Sequence, residues 1–437
     1  MNPILLIDYG STNTKVTAVS LAEGRVLGRA AADTTVDAGL DLGLERALHL
    51  LRQQCGDLRF ETRLACSSAA GGLRMAACGL VPELTGKAAK MACLGAGAKL
   101  VKTYSYRMTD EDIAELAGLR PDIFLLTGGT DGGDSACILH NAARLADCEC
   151  AFPILIAGNR GAAADCERLL QGRETYRCEN VMPSLHRTNI APAQAKIREL
   201  FLRRIARVRG LDTVLMPTPA AVMSALELLA SRTGDLLAVD LGGATTDVYS
   251  MASGAPRHEN VILKGLPEPY AKRTVEGDIG MRINAPGIVA AAGLPFAAEA
   301  EELAQNPSIL PQTPAQCALD ATLAAAALEI GLTRHAGSME EVYTPLGRAY
   351  AQTGKDLSDL KTLVLTGGAL VHSPDAARIA AGSLRSAQKA GVLCPKRAEI
   401  LVDRNYILYA AGLLAEREPG AALMIMKKEL IQEDGTA

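Results

Sequence analysis

A chain of 437 residues exceeds what one hydrophobic core normally organises, so two or three domains are expected. Apolar residues make up 49% and charged residues 22%, the balance of a folded globular protein. A net charge of −4 gives no electrostatic reason to bind nucleic acid, and the absence of any run of about 18 apolar residues predicts no membrane span.

Ile4 to Ile7 is read as a buried strand ending at Asp8, not as a signal peptide, because no basic leader precedes it. Eleven cysteines scattered through apolar segments then predict reduced thiols and a cytoplasmic location. Along the chain, short apolar runs alternate with helix-period segments, the pattern of an α/β protein. Strands are expected at 4–8 and 14–20 around the turn Gly10-Ser11-Thr12-Asn13, then near 25–32, with a helix at 40–54. Between Arg63 and Asn180, strands at 63–67, 99–105, 122–127, 153–157 and 176–181 alternate with helices at 70–78, 83–97, 110–117, 135–147 and 161–170. That rhythm predicts a doubly wound parallel sheet, inserted into a larger fold. Helices follow at 193–209 and 219–231, and a strand runs from Leu236 into Asp240. Strands to about 263, an Ala-rich helical region to 353, a strand at 362–365, a helix at 404–415 and a fraying tail at 427–437 complete the reading.

One internal duplication carries chemistry. Asp8-Tyr9-Gly10-Ser11-Thr12-Asn13-Thr14-Lys15-Val16 aligns with Asp240-Leu241-Gly242-Gly243-Ala244-Thr245-Thr246-Asp247-Val248. Each copy follows a four-residue apolar strand, so each predicts a hairpin with a carboxylate at the end of its first strand. The turns at Gly10-Ser11-Thr12 and Gly242-Gly243-Ala244-Thr245 can aim backbone N–H groups at phosphate oxygens, and glycine permits the close approach. Asp8 and Asp240, expected to face each other across a cleft, are the candidate catalytic and metal-binding carboxylates, holding a hydrated Mg²⁺. Lys15 could offset phosphate charge, whereas Asp247 takes its place in the second copy.

This pair resembles the two phosphate motifs of the actin, heat-shock chaperone and sugar-kinase superfamily. Leu363 to Ala369, with Gly367 and Gly368 at its turn, resembles that superfamily's adenosine motif, and the order of the three is the same. The resemblance implies ATP and Mg²⁺ as cofactors and a two-lobed actin-like α/β fold carrying the inserted domain. Residues 1–62 and 183–232 would form lobe I, 63–182 the insert, 233–403 lobe II, and 404–437 a closing helix and tail. Pro217-Thr218-Pro219 resembles the chaperones' connecting-helix entry, but Met216 stands where they carry a glutamate that helps hydrolysis. Fast hydrolysis is therefore not expected.

Several stretches resemble the accessory protein of glutamate mutase, the family called MutL or GlmL: Asp8 to Thr12, Cys66 to Met75, Thr127 to Gly133, Ala157-Gly158-Asn159, Val239 to Asp247 and Thr274 to Arg282. That resemblance implies a slow ATPase acting as a reactivating chaperone, whose partner is an adenosylcobalamin-dependent mutase and which releases damaged cobalamin by ATP-linked lobe movement. Two other classes stand beside it, a small-molecule kinase of the sugar-kinase class and an actin-like filament protein. The glycine-rich strand ends Ser67–Gly72 and Thr127–Gly133 either line the partner surface or only terminate packed strands. The arginines at 198, 203, 204, 207 and 209 read as a solvated helix face or a dock for an acidic partner. Thr274 to Arg282 either reaches the nucleotide or forms a helix-to-loop junction.

Overall fold

The computed structural model describes residues 3–10, 13–35, 40–69, 72–205, 214–257, 259–345 and 347–435. It divides into two units. The first comprises Met1–Val222, Gly265–Pro267 and Gly412–Ala421, and the second Met223–Lys264, Glu268–Ala411 and Ala422–Ala437.

In the first unit, the apolar run at the N-terminus forms β1 (Ile4–Tyr9), which turns back through β2 (Asn13–Ser20) and β3 (Arg25–Asp33). Helix α1 (Leu40–Cys55) buries Leu40, Gly43, Ala47 and Leu51, one face at helical spacing. The chain then returns as β4 (Thr62–Ser67), and this sheet reads β10-β4-β1-β2-β3, with β10 at Val214–Pro217. Strand 62–67 therefore pairs parallel with β1 and does not open the inserted sheet.

The inserted sheet comprises β5 (Arg74–Gly79), β6 (Lys99–Ser105), β7 (Ile123–Leu126), β8 (Ile154–Ile156) and β9 (Thr175–Arg177). Its helices are α2 (Lys87–Gly95), α3 (Asp110–Leu119), α4 (Ala136–Ala146) and α5 (Ala163–Leu169). Every pairing is parallel, in the order β6-β5-β7-β8-β9. Successive residues feed two separate cores, Ile123 and Leu125 on one face, Phe124 and Leu126 on the other, so both faces are covered. The expected helix at 70–78 is instead β5. Ala76, Ala77 and Cys78 are small enough to sit in a strand buried on both faces, and that environment overrides alanine's helix preference. Helix α6 (Ala191–Ile205) leads to β10, and α7 (Thr218–Thr233) follows it directly.

The second unit repeats the first sheet's topology. It contains β11 (Leu236–Leu241), β12 (Thr246–Met251), β13 (Val261–Lys264) and β14 (Ala271–Glu276), then α8 (Ala285–Ala292), α9 (Ala297–Gln305) and α10 (Pro314–His335). After these come β15 (Ser338–Thr344), β16 (Gly347–Thr353), β17 (Thr362–Thr366), α11 (Gly368–Val371), α12 (Ala376–Lys389), β18 (Glu399–Val402), α13 (Leu408–Leu414), α14 (Pro419–Glu429) and β19 (Ile431–Glu433), with the end of α13 and the start of α14 belonging to the first unit. The sheet order is β14-β12-β11-β17-β18-β19. In both sheets the first two pairings are antiparallel and the next two parallel, so β14-β12-β11-β17-β18 matches β3-β2-β1-β4-β10 strand for strand.

Three expectations change here. The Ala-rich region before 353 is not all helix, because β15 and β16 form a hairpin and pair with β13 in a separate three-stranded sheet. The tail does not simply fray: β19 pairs antiparallel with β18, and Glu433 meets Arg404 at 2.6 Å. Helix α10 is long and apolar enough to cross a membrane by length and composition, with mean hydropathy 1.3. Here one face of it packs into the core of the second unit. It buries Leu323, Ala324, Ala327, Leu328 and Leu332, and Gly331 lets it lie against Val248 and Thr246 of β12.

Candidate functional site

The two duplicated segments pair their strands in the same antiparallel register. In the first, Asp8 opposes Lys15 and Tyr9 opposes Thr14, and Gly10 N donates to Asn13 O at 3.1 Å. In the second, Asp240 opposes Asp247 and Leu241 opposes Thr246, and Gly242 N donates to Thr245 O at 3.0 Å. A Cβ at Gly10 would lie 2.5 Å from Asn13 O, which explains glycine at that corner.

Asp8 is 1% exposed. Its Oδ1 accepts from Thr218 Oγ1 at 2.6 Å and from the Cys66 thiol at 3.6 Å, and its Oδ2 accepts from Lys15 Nζ at 3.1 Å. Lys15 thus stands beside the carboxylate as well as at the hairpin. The register of β1, β4 and β10 places Thr218, the first residue of α7, within reach of Asp8. Thr34 Oγ1 donates to Gly10 O at 2.9 Å. Ser11 and Thr12 lie outside the described residues.

The second turn is held from behind. Its carbonyls are taken by the segment after β14: Met281 N donates to Gly242 O, Arg282 N and Ile283 N to Gly243 O, and Asn284 Nδ2 to Ala244 O at 2.6 Å. Gly280 is required there, since a Cβ would fall 2.3 Å from the Ala244 carbonyl carbon. With those carbonyls satisfied inside the fold, the N–H groups of Gly243, Ala244 and Thr245 are what the turn can offer an anion. Gly243 is exposed, and Asp240, Gly242, Ala244 and Thr245 are half-buried. The segment itself is clamped to α10, where Arg282 makes a two-pronged pair with Asp320 (3.2 and 2.8 Å) and Arg334 meets Glu276 and Asp278. Thr274 to Arg282 is thus a strand running into a bracing loop, not a helix junction, and its position settles against the second hairpin.

The third motif joins the same unit. Thr366 pairs with Asp240 in register, and Gly367 takes φ +92°. A Cβ on Gly367 would lie 2.4 Å from Leu241 O, so the turn touches the second hairpin only because it is glycine. Gly368 begins α11 and approaches Tyr406 Oη.

Asp403, which the sequence reading passed over, braces this corner. Its carboxylate is 1% exposed and accepts from Ile407 N at 2.7 Å, Leu408 N at 3.3 Å and Thr366 Oγ1 at 3.3 Å. Burial pushes the Asp403 carboxyl up to about 7, against those three hydrogen bonds and with a further push from Asp240. A carboxyl with a higher pKa folded than unfolded stabilises the fold in acid and loses that contribution as pH rises through the folded value. Asp403→Asn is expected to flatten the fall in stability between pH 3.8 and about 7, as read by urea denaturation across that range.

The other motifs lie elsewhere. Thr127–Gly133 ends β7, where Asn159 bonds Gly132 N, Gly133 O and Asp134 O, and Asn180 bonds Gly129 O and Asp131. Of the arginine-rich helix, Arg198 donates to Gly95 O, Arg203 pairs with Glu199 and Arg204 with Asp122, while Arg207 and Arg209 lie outside the described residues. Met216 lines a cavity of about 200 Å³ with Arg198, Leu215, Leu413, Glu416 and Arg417. Gly412, in the segment that belongs to the first unit, packs directly on the Ala221 carbonyl of α7.

The chain is similar to acetone carboxylase in its nucleotide-free form (12% identity, TM-score 0.42, 95% of this chain and 70% of that one). It is similar also to the nucleotide-free diol dehydratase-reactivating factor (11%, 0.38, 96% and 100%). A third is the activator of the 2-hydroxyisocaproyl-CoA dehydratase from Clostridium difficile with bound ADPNP (9%, 0.35, 99% and 99%). In sequence it is 42% identical to "Protein MutL" of Clostridium tetanomorphum over 462 residues, 99% of this chain and 100% of that protein. The family described as "MutL protein" matches residues 4–430, and the chain belongs to that family.

Proposed function

We propose that this protein is an ATP-dependent reactivating chaperone for an adenosylcobalamin-dependent mutase of the glutamate mutase type. The observation that carries the nucleotide half is the pair of equivalent hairpins on two copies of one sheet topology. The client half rests on membership of the MutL family and on the resemblance of its longer motifs to the glutamate mutase accessory proteins.

The residues fit a nucleotide with a hard cation. Gly10 and the N–H groups of Gly243, Ala244 and Thr245 suit phosphate oxygens, and Ser11, Thr12 and Lys15 belong to the same role. Gly367 and Gly368 suit the adenosine. Asp240, a half-buried carboxylate, suits a hydrated Mg²⁺. Both oxygens of Asp8 already accept hydrogen bonds from this chain, so Asp8 suits the ion's water better than the ion. Bound Mg²⁺·ATP would supply a phosphoryl group transferable to water. Met216 offers no general base where the chaperones carry a glutamate, which favours slow turnover. ATP and ADP forms must then bind the client unequally, because only differential affinity can drive release of a held cofactor. The Thr127–Gly133 loop, hydrogen-bonded by Asn159 and Asn180, is the segment we assign to client contact.

Phosphate release from ATP, measured with and without a mutase carrying inactive cobalamin, tests the proposal. Stimulation by the mutase, with cobalamin appearing in solution, is the expected result. Stimulation by a small hydroxylated metabolite with indifference to the mutase would favour a kinase and defeat the chaperone reading.

A further inference from the structure

The two hairpins agree in strand register and disagree in charge. Opposite Asp8 stands Lys15, a cross-strand ion pair of 3.1 Å. Opposite Asp240 stands Asp247, a like-charged pair. Directly opposed residues on an antiparallel pair have Cβ atoms about 5 Å apart, where like charges destabilise the hairpin. Asp247 is only 8% exposed, so water screens it little.

The missing positive charge comes from the next strand. Arg273 of β14 opposes Tyr249, and from there it reaches diagonally to Asp247, with Nη2 at 3.2 Å from Oδ1. Its guanidinium carbon lies 5.9 Å from the centre of the Tyr249 ring, and the residue is 6% exposed. Burial is the largest single influence and works against the charged guanidinium, but Asp247 and Tyr249 together outweigh it and raise the Arg273 pKa. A buried arginine in such company costs desolvation, which a merely structural contact could avoid with an apolar side chain.

We infer that Arg273 is the positioning residue of the second phosphate hairpin, pairing with Asp247 so that the two opposed carboxylates of this hairpin are compensated and Asp240 is left to meet the cation of a bound nucleotide. The first hairpin carries its compensation on its own second strand. The second delegates it to β14, the strand that also runs into the loop bracing Gly242, Gly243 and Ala244. The inference rests on the nucleotide reading for its ligand but not for its charge pair.

The test uses the full chain with Arg273→Met, Arg273→Lys, Asp247→Asn and the double variant Asp247→Asn/Arg273→Met. Urea stability without nucleotide and Mg²⁺·ATP affinity by calorimetry are the two readouts. Arg273→Met should lower stability and weaken Mg²⁺·ATP about tenfold or more. The double variant should recover most of both, because removing the second carboxylate removes the need for the cation. A double variant as impaired as Arg273→Met, with Arg273→Lys no better, would show that the arginine acts by packing on Tyr249 and would overturn the inference. If the wild type binds no Mg²⁺·ATP, the nucleotide reading falls. The stability rescue then still decides whether Arg273 acts through charge.

Discussion

Asp8→Ala is expected to abolish Mg²⁺-dependent ATP binding and also to cost the first unit about 3 kcal/mol of stability. The two effects have one origin. Asp8 is buried at the end of β1 and anchors three donors, Lys15 Nζ, Thr218 Oγ1 and the Cys66 thiol, drawn from β2, α7 and β4. Truncation leaves Thr218 without that acceptor and Lys15 without its anion. Lys15 is 28% exposed and can turn to water, which keeps the loss below that of a fully buried pair. The fall should appear in urea melts without any nucleotide. Asp8→Asn, which keeps an acceptor for Thr218, should retain more stability than Asp8→Ala while still binding Mg²⁺·ATP poorly.

Gly367→Ala should be the more damaging change in the second unit. Gly367 sits at φ +92° and ψ +147°, a region essentially confined to glycine. An added methyl would lie 2.4 to 2.6 Å from the N, C and O atoms of Leu241. Those are backbone atoms of the strand carrying Asp240, so no side chain can move aside. Strain and overlap together predict a loss of about 4 kcal/mol, with the Thr366-Gly367-Gly368 turn displaced from the second hairpin and ATP binding lost. Gly368→Ala is the control. Its nearest neighbour is Tyr406 Oη at 3.4 Å, an ordinary contact, so the stability change should stay within about 1 kcal/mol. Equal effects at the two glycines, in denaturation and calorimetry, would contradict this account of the turn.

The hairpins were legible in the sequence because each signal is local. A four-residue apolar strand, a carboxylate, a glycine turn and a second strand all fall within thirteen residues, and both copies kept the same spacing. The alternation of the inserted sheet was legible for the same reason, apart from β5, whose small residues read equally well as helix. The companions of the hairpins were not legible, because topology sets them. Arg273 meets Asp247 only because β14 lies beside β12. Asp403 matters only because β18 ends next to Thr366. Thr218 reaches Asp8 across 210 positions through the register of three strands. Thr274 to Arg282 drew notice in the sequence, but its job of holding the turn's carbonyls could not be read from spacing. The hairpin of β15 and β16 was masked by the alanine-rich helix before it.

The central claim is that the second hairpin holds a nucleotide with its cation, and Asp240 is its most direct probe, since this half-buried carboxylate can be removed at less cost to the fold than Asp8. The measurement is a calorimetric titration of ATP, with and without Mg²⁺, into the wild type and Asp240→Ala. Mg²⁺-dependent binding by the wild type, lost in a variant that still unfolds cooperatively, is the predicted result. A folded wild type that binds no ATP, or a variant that binds Mg²⁺·ATP as tightly as the wild type, would contradict it.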